Sequence, residues 1–423
     1  MTDRSVDSVA LGESIGENLA RLRKVRDLSQ ERLAEAADVG VDTVARLEQA
    51  KRSNVRPVTL RKLADALGVS VDDLIGRPSS RRSGKIDITG LRRAITAADG
   101  ELRDLDVVAE PEETTSLDQL IEDTRQAWRA YVDGRHSELL NTLPIILFDG
   151  QRLVHVTVDD EKAGAYRALS TAYRLGAGIT GRLGYLDLSW LAAERALRAA
   201  RASDAPDLEQ AISARYLAWT LVRQARMDEA ERIATAAAER IQPKMLDRDP
   251  QRAGVFGNLL FNAASAAVLA GRPARAADLL AEAEAAAVRT NADFANEAAI
   301  FGPRVTGIQR VDHAVRTGDP ERALHLADTM QTTEGKAPAF WEAGYNVCLA
   351  AAATELRKDG RALLHLARAY ELAPGWAPAQ PLGRLAMRRL VDRAVRRRGE
   401  EFSRLATLYL REAGSQQSFA GPN

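Results

Sequence analysis

The chain has one cysteine in 423 residues, Cys348. That excludes an intramolecular disulfide framework and any cysteine-based zinc finger, and it points to an intracellular protein. Its five histidines, His136, His155, His313, His325 and His365, are scattered, and none forms a paired metal motif, so no metal is expected. No apolar run approaches the roughly 18 residues a membrane span requires, and the polar N-terminus does not read as a signal peptide. A cytoplasmic protein without membrane contact follows as the expectation. Neither sign of charge is in surplus, with 59 Lys/Arg against 59 Asp/Glu, so any nucleic-acid contact must come from a local patch. There is no G-x-x-x-x-G-K-[ST] phosphate loop, which disfavours an ATP-driven machine. No serine sits in a nucleophile elbow, and carboxylates recur with arginine at helical i, i+3/i+4 spacing, which marks a solvated face. No acid, base or nucleophile constellation emerges, so neither an enzyme nor a cofactor is expected.

What is present begins with length, which exceeds one ordinary domain and implies at least two units. Arginine outnumbers lysine 51 to 8 and alanine is abundant, the codon signature of a GC-rich bacterial genome. Residues 14–76 form a compact five-helix pattern. Ile15, Leu19 and Leu22 recur at i, i+4, i+7 and mark the buried face of a first helix. Ser29 suits the N-cap of a second helix, with Glu31 in its first turn and Leu33, Ala34 and Ala37 inward. Gly40 caps a third helix that Val44 and Leu47 anchor. Leu60, Leu63, Ala64 and Leu67 give a fourth, ended by Gly68 at C′, and Ser70-Val71-Asp72-Asp73 starts a short fifth carrying Leu74 and Ile75. Two short helices around a tight turn, the second with one apolar stripe inward and short or polar residues on its other face, is the layout of a helix-turn-helix that enters the DNA major groove.

Residues 77–115 read as a linker with a short helix near 88–98, basic and Ser/Gly-rich at 77–87 and acidic at 99–115. From 116 to 412 the pattern is almost all helical, and 413–423 reads as a disordered tail. A turn followed by an alanine-bearing helix start recurs at Ala230, Ala276, Ala323 and Ala362, spaced by 46, 47 and 39 residues, with a weaker member at Gly184 to Ala192. Helix pairs at that period make an α-solenoid, each pair burying its apolar face against its neighbours. The period exceeds the about 34 residues of a tetratricopeptide repeat, so longer helices are expected. Residues 143–158 are ambiguous between hairpin and helix; Leu139, Leu143, Ile146 and Leu147 at helical spacing favour helix. Gly176-Ala177-Gly178-Ile179-Thr180-Gly181 fits the dinucleotide G-x-G-x-x-G string, but Tyr166, Leu169, Ala172 and Tyr173 precede it at helical spacing. Close helix packing is therefore favoured over a nucleotide loop.

Residues 14–76 resemble the Cro/phage-repressor type of helix-turn-helix, the XRE family. The likeness is carried by Leu28-Ser29-Gln30-Glu31, Leu33-Ala34, Thr43-Val44, Leu47-Glu48, Lys51-Arg52 and Leu67-Gly68-Val69-Ser70. Two positions depart from that family: Gly40 replaces a usual serine cap, and Ala45 stands where a small polar base-reader is frequent. Joined to tetratricopeptide-like repeats, the domain resembles bacterial regulators controlled by peptide pheromones. It resembles still more closely actinobacterial regulators of the same two parts, through Ile88 to Ile95 and Leu186 to Ala196.

The expected fold is all-α, a five-helix helix-turn-helix domain followed by an α-solenoid of tetratricopeptide-like pairs. The DNA-facing positions are Gln30, Gly40, Val41, Asp42, Thr43, Arg46, Gln49, Arg52 and Asn54. Arg46 suits guanine or phosphate and Thr43 a thymine methyl or phosphate. Asp42 could accept from cytosine but repels phosphate, while Arg52 and Asn54 suit backbone contacts that set register. Residues 1–85 carry 16 basic against 13 acidic side chains. One copy should therefore bind weakly, and a homodimer on an inverted repeat of double-stranded operator DNA doubles the contacts. In the repeats, Arg215, Trp219, Asn258, Asn262, Arg304, Trp341 and Tyr345 either line a concave face for a peptide or small-molecule effector or serve as solvated and inter-repeat residues. Cys348, in a small apolar context, reads as a packed core thiol. The arginines from Arg388 to Arg398 either solvate a terminal helix or make a second nucleic-acid contact. The expected function is a DNA-binding transcription regulator. The alternative is a scaffold whose repeats bind a partner protein while the N-terminal domain localises it.

Overall fold

The computed structural model describes residues 15–49, 55, 57–69, 71–75, 87–97, 115–244, 249–290, 292–330, 334–335, 337–394 and 399–410. Most of the predicted linker, the 413–423 tail, Ser70, Arg52, Asn54 and Arg396 to Arg398 lie outside them. In chain order the first helices are α1 (Ile15–Val25), α2 (Gln30–Ala36), α3 (Val41–Glu48), α4 (Pro57–Leu67), α5 (Val71–Leu74) and α6 (Thr89–Thr96). Next come α7 (Leu117–Val132), α8 (His136–Val156), α9 (Asp159–Arg182), α10 (Leu186–Arg201), α11 (Pro206–Arg223), α12 (Met227–Ile241), α13 (Pro250–Leu269) and α14 (Pro273–Ala287). Strands β1 (Ala292–Ala295) and β2 (Ile300–Phe301) precede α15 (Pro303–Arg316) and α16 (Pro320–Thr329), and β3 (Glu334–Gly335) follows. The chain closes with α17 (Ala339–Glu355), α18 (Asp359–Leu372), α19 (Pro381–Arg393) and α20 (Glu400–Leu410). Among the described residues the protein is all-α but for this short sheet. Two compact units are drawn from it, one from residues 1–85, 357–367 and 378–423, the other from 86–356 and 368–377.

In the first unit, Leu19, Leu33, Ala34, Ala37, Val44, Leu47, Leu63, Ala64, Leu67 and Leu74 form one buried cluster. The local signals act as the sequence indicates. Ser29 Oγ accepts the Arg32 amide at 3.2 Å, Gly40 occupies the N-cap of α3 in extended conformation, and Gly68 leaves α4 with φ of +63°. Asp38 turns the chain between α2 and α3 with φ of +49°, and Lys62 of α4 holds its carboxylate at 2.6 Å. Helix α1 packs on α3 so closely that a Cβ at Gly16 would lie 2.1 Å from the Leu47 carbonyl oxygen. The opposite end of the chain joins this unit. Lys24 Nζ donates to the Asp392 carbonyl at 2.9 Å, and Ser403 Oγ donates to the Val25 carbonyl at 2.6 Å. Nothing in the periodicity marks these contacts of α1 with α19 and α20.

From α7 to α20, across the second unit and the C-terminal part of the first, the chain is built from helix pairs. Helical spacing wins at the ambiguous 143–158 stretch, of which residues 143–156 are the body and end of α8. The turn inside each pair from α7 to α20 carries a residue of positive φ: Gly134, Gly184, Ala225, Gly271, Gly318, Arg357 and Gly399. The repeat alanines Ala192, Ala230, Ala276, Ala323 and Ala362 are all fully buried, because only a methyl group fits between neighbouring backbones. The glycines of the dinucleotide-like string lie inside α9. There Gly176 faces Ile95, Gly178 faces Tyr131 and Gly181 faces Trp219, so they serve helix packing.

The sheet between α14 and α17 was not expected. β1 pairs antiparallel with β2 and parallel with β3. It is seated by Phe294 and Phe301, whose rings occupy the space a Cβ would need at Gly254 and Gly257 of α13. Asp293 then starts α15 by accepting the amides of Arg304 and Val305 at 3.2 and 3.0 Å. The intervening Gly302, with φ of +147°, lies against Asp293 where no side chain fits.

Candidate nucleic-acid interface

Helix α3 has two chemically distinct sides. Val44 and Leu47 are buried in the helical cluster, whereas Val41, Asp42, Arg46 and Gln49 are exposed and Thr43 is half-buried. Val41 keeps 41% of its surface in solvent. Gly40 is also exposed, so the first turn of α3 presents backbone without a covering side chain. A surface of small, apolar and hydrogen-bonding groups is what a groove-reading helix needs, since bulky side chains would hold the backbone away from base edges.

A charged network fixes the angle of this helix. Glu48 lies at i+4 from Val44, on the inward stripe, where a carboxylate requires a partner. Arg23 of α1 supplies it, with Nε and Nη2 donating to the two carboxylate oxygens at 2.6 and 2.8 Å. The third guanidinium nitrogen, Nη1, donates to the Leu28 carbonyl at 2.8 Å. Gln30, which the sequence analysis directs toward DNA, donates through Nε2 to Glu48 at 2.7 Å. One guanidinium thus ties α1, the turn before α2, and α3. Arg23 and Glu48 are not among the site residues expected from the sequence, although a charged residue on an apolar stripe is the signal that marks Glu48.

The residues expected to meet an effector are dispersed over several helices of the second unit. Asn258 is buried, its Nδ2 donating to the Ile300 carbonyl at 2.8 Å and its Oδ1 accepting the Ile300 amide at 3.2 Å. Both ends of its amide are taken up by the backbone of β2. Asn262 donates to the Asn258 carbonyl at 3.1 Å, and Arg215 reaches Asn258 Oδ1 at 3.4 Å. Arg304 grips Glu342 through Nε and Nη2 at 2.5 and 2.8 Å and lies over the Tyr345 ring. Hydrogen bonding to Glu342 leads the effects that raise the guanidinium's pKa. Trp219, Trp341 and Tyr345 are half-buried. Cys348 is buried and donates to Asp312 at 3.4 Å.

Comparison with known proteins agrees with the geometry of the first unit. A family model described as a helix-turn-helix domain matches residues 14–75, and this segment is a helix-turn-helix DNA-binding domain. No curated protein sequence matches the chain significantly. Among solved structures, the chain is similar to Bacillus thuringiensis PlcR in complex with the peptide PapR7 and DNA, at 11% identity. That match covers 75% of this chain and 95% of the other, with a TM-score of 0.35. It is also similar to the apo form of the competence regulator ComR from Streptococcus vestibularis, at 12% identity over 83% and 99% of the two chains, TM-score 0.32. ComR from S. thermophilus with DNA and its signalling peptide ComS gives 12%, 85%, 99% and 0.31. What those proteins bind is a property of those proteins.

Proposed function

We propose that this chain is a sequence-specific transcription regulator that binds operator DNA as a homodimer on an inverted repeat. In this reading the repeats serve dimerisation and the sensing of a peptide or small-molecule effector, and the chain catalyses no reaction. The observation that carries the proposal is the division of α3 into an anchored apolar stripe and an exposed outer face. Arg46 and Gln49 read base edges, Thr43 and Val41 approach thymine methyls or phosphate, and Gly40 lets the helix start close to the backbone. Asp42 disfavours phosphate and selects for a cytosine amino group. Gln30, Arg52 and Asn54 set the register. Two copies are required because the balanced charge of residues 1–85 gives a single domain little counterion release.

An effector controls such a dimer only by preferring one spacing or orientation of the reading heads over another. Of the effector residues named from sequence, all but the buried Asn258 keep accessible surface. Genome-wide footprinting of the wild-type protein and of Arg46→Ala tests the reading. Discrete palindromic sites that vanish in the variant support it. Uniform, sequence-independent occupancy by both proteins overturns it.

A further inference from the structure

Two arginines of the second unit are near enough for one to act on the charge of the other, and each lies over an aromatic ring. Arg182, the last residue of α9, lies 4.8 Å over the Tyr131 ring and 5.2 Å over the Phe340 ring, and its Nε donates to the Tyr131 hydroxyl at 2.9 Å. Arg223, the last residue of α11, lies 4.8 Å over the Trp219 ring. Four first helices of pairs, α7, α9, α11 and α17, therefore converge on one spot. Among the described residues, neither guanidinium has a carboxylate partner, and no acceptor meets the terminal nitrogens of Arg182. Elsewhere in the unit, Arg174 is paired with Glu209 at 2.6 Å and Arg304 with Glu342.

The electrostatic consequence is a positive field without compensation. Partial burial and then the charge of Arg182 hold the Arg223 guanidinium below its ordinary pKa. The same two causes, in the same order, lower His136 on the adjoining turn. Like charges brought this near each other in a half-desolvated place are unfavourable unless something else is bound.

The backbone is also shaped for this arrangement. A Cβ at Gly178 would lie 2.7 Å from the Tyr131 hydroxyl oxygen, and one at Gly181 would lie 2.5 Å from the Trp219 ring. These are two of the three glycines in the dinucleotide-like string, and they let the two rings rest on the last turns of α9. Ring stacking holds a guanidinium by its face and leaves its N–H edge pointing outward, in the fork geometry that matches a planar oxyanion.

We propose that Arg182 and Arg223, framed by Tyr131, Trp219 and Phe340, form a receptor for the carboxylate or phosphate group of a small anionic ligand. The site gives a chemical class to the effector invoked above, and it rests on that reading only for its consequence at DNA. Carboxylate and phosphate share the recognition chemistry, two or more oxygens accepting from paired guanidiniums, and the test separates them.

Full-length protein at constant ionic strength is titrated with inorganic phosphate, with N-acetyl-phenylalanine and with N-acetyl-phenylalanine amide, following tryptophan fluorescence and thermal stability. The expected result is a saturable response to one or both anions and none to the amide. The affinity falls at least tenfold in Arg182→Gln and in Arg223→Gln, with partial retention in Arg223→Lys. A response to phosphate alone assigns a phosphoryl group, and a response to the free acid alone assigns a carboxylate. No saturable response to either anion, or equal affinity in the Arg182→Gln/Arg223→Gln protein, overturns the proposal. If Arg182→Gln loses helical circular dichroism, the more exposed Arg223→Gln alone decides. Operator affinity is then measured with and without the anion. Saturation that leaves DNA binding unchanged upholds this site and overturns only the effector control.

Discussion

Arg23 and Glu48 face each other across the helix-turn-helix, two charge-assisted hydrogen bonds of 2.6 and 2.8 Å joining α1 to the end of α3. Both side chains are largely out of water, at 13% and 8% exposure. Removing one partner leaves a poorly solvated charge, which costs about 2–4 kcal/mol in such settings. Glu48→Ala should therefore speed hydrogen exchange of α3 amides by about 30-fold or more. Arg23→Ala/Glu48→Ala should be less harmful than the sum of the single changes. Additive effects in that double-mutant cycle would dismiss the pair as the clamp that orients α3.

Gly257 sits beneath the Phe301 ring, and a Cβ there would lie 1.9 Å from it. Gly257→Ala should destabilise the second unit by about 2–3 kcal/mol through overpacking, despite alanine's better helix propensity. Combining it with Phe301→Leu should recover part of the loss in urea denaturation. A variant as stable as wild type would show that the sheet is not held by this contact.

Ala225 and Arg357 adopt left-handed backbone, with φ of +59° and +56°, at turns where other helix pairs place glycine. A Cβ is strained there by roughly 1 kcal/mol, partly offset by glycine's greater freedom in the unfolded chain. Ala225→Gly and Arg357→Gly should each raise stability by about 0.5 kcal/mol. Thermal melts that drop for both would refute the shared turn geometry.

His136 and His313 are both held below the ordinary histidine value of 6.5. Burial leads in each case, followed by Arg182 for His136 and by Arg322 for His313, where Asp312 acts in the opposite direction. Above that pH the rings are neutral, folded or unfolded, and they cost nothing. As pH falls through it, the unfolded chain takes up protons before the native one does, so stability declines. The urea midpoint should fall between about pH 7.5 and about pH 6, before most carboxylates titrate. His136→Gln/His313→Gln should flatten that slope, and an unchanged slope would assign the pH dependence to other groups.

Burial pushes the Cys348 thiol well up, and the carboxylate of Asp312 pushes the same way. A thiol held protonated and covered reacts only when its surroundings open. Labelling by a disulfide reagent at about pH 8 should be at least a hundredfold slower than in the unfolded chain. Rapid labelling of native protein would place Cys348 at an accessible site.

Much of the helical architecture was legible in the residues because its signals are local. Ser29, Gly40 and Gly68 act on their own turns, and Val44 with Leu47 declare which side of α3 faces inward. The buried alanines at 192, 230, 276, 323 and 362 recur because each helix pair meets the next in the same way. Spacing also sufficed to read residues 143–158 as helix and Gly176 to Gly181 as packing glycines.

The rest required the folded chain, since the partners lie far apart in sequence and no period links them. Arg23 meets Glu48 across 25 residues, Asn258 meets Ile300 across 42, and Ser403 meets Val25 across 378. The short sheet escaped notice because strands of two to four residues carry too little alternation to register. Arg182, Arg223 and Phe340 are ordinary residues in their own helices. Only the convergence of α7, α9, α11 and α17 turns them into a charged and aromatic site, because electrostatic fields add in space rather than along the chain.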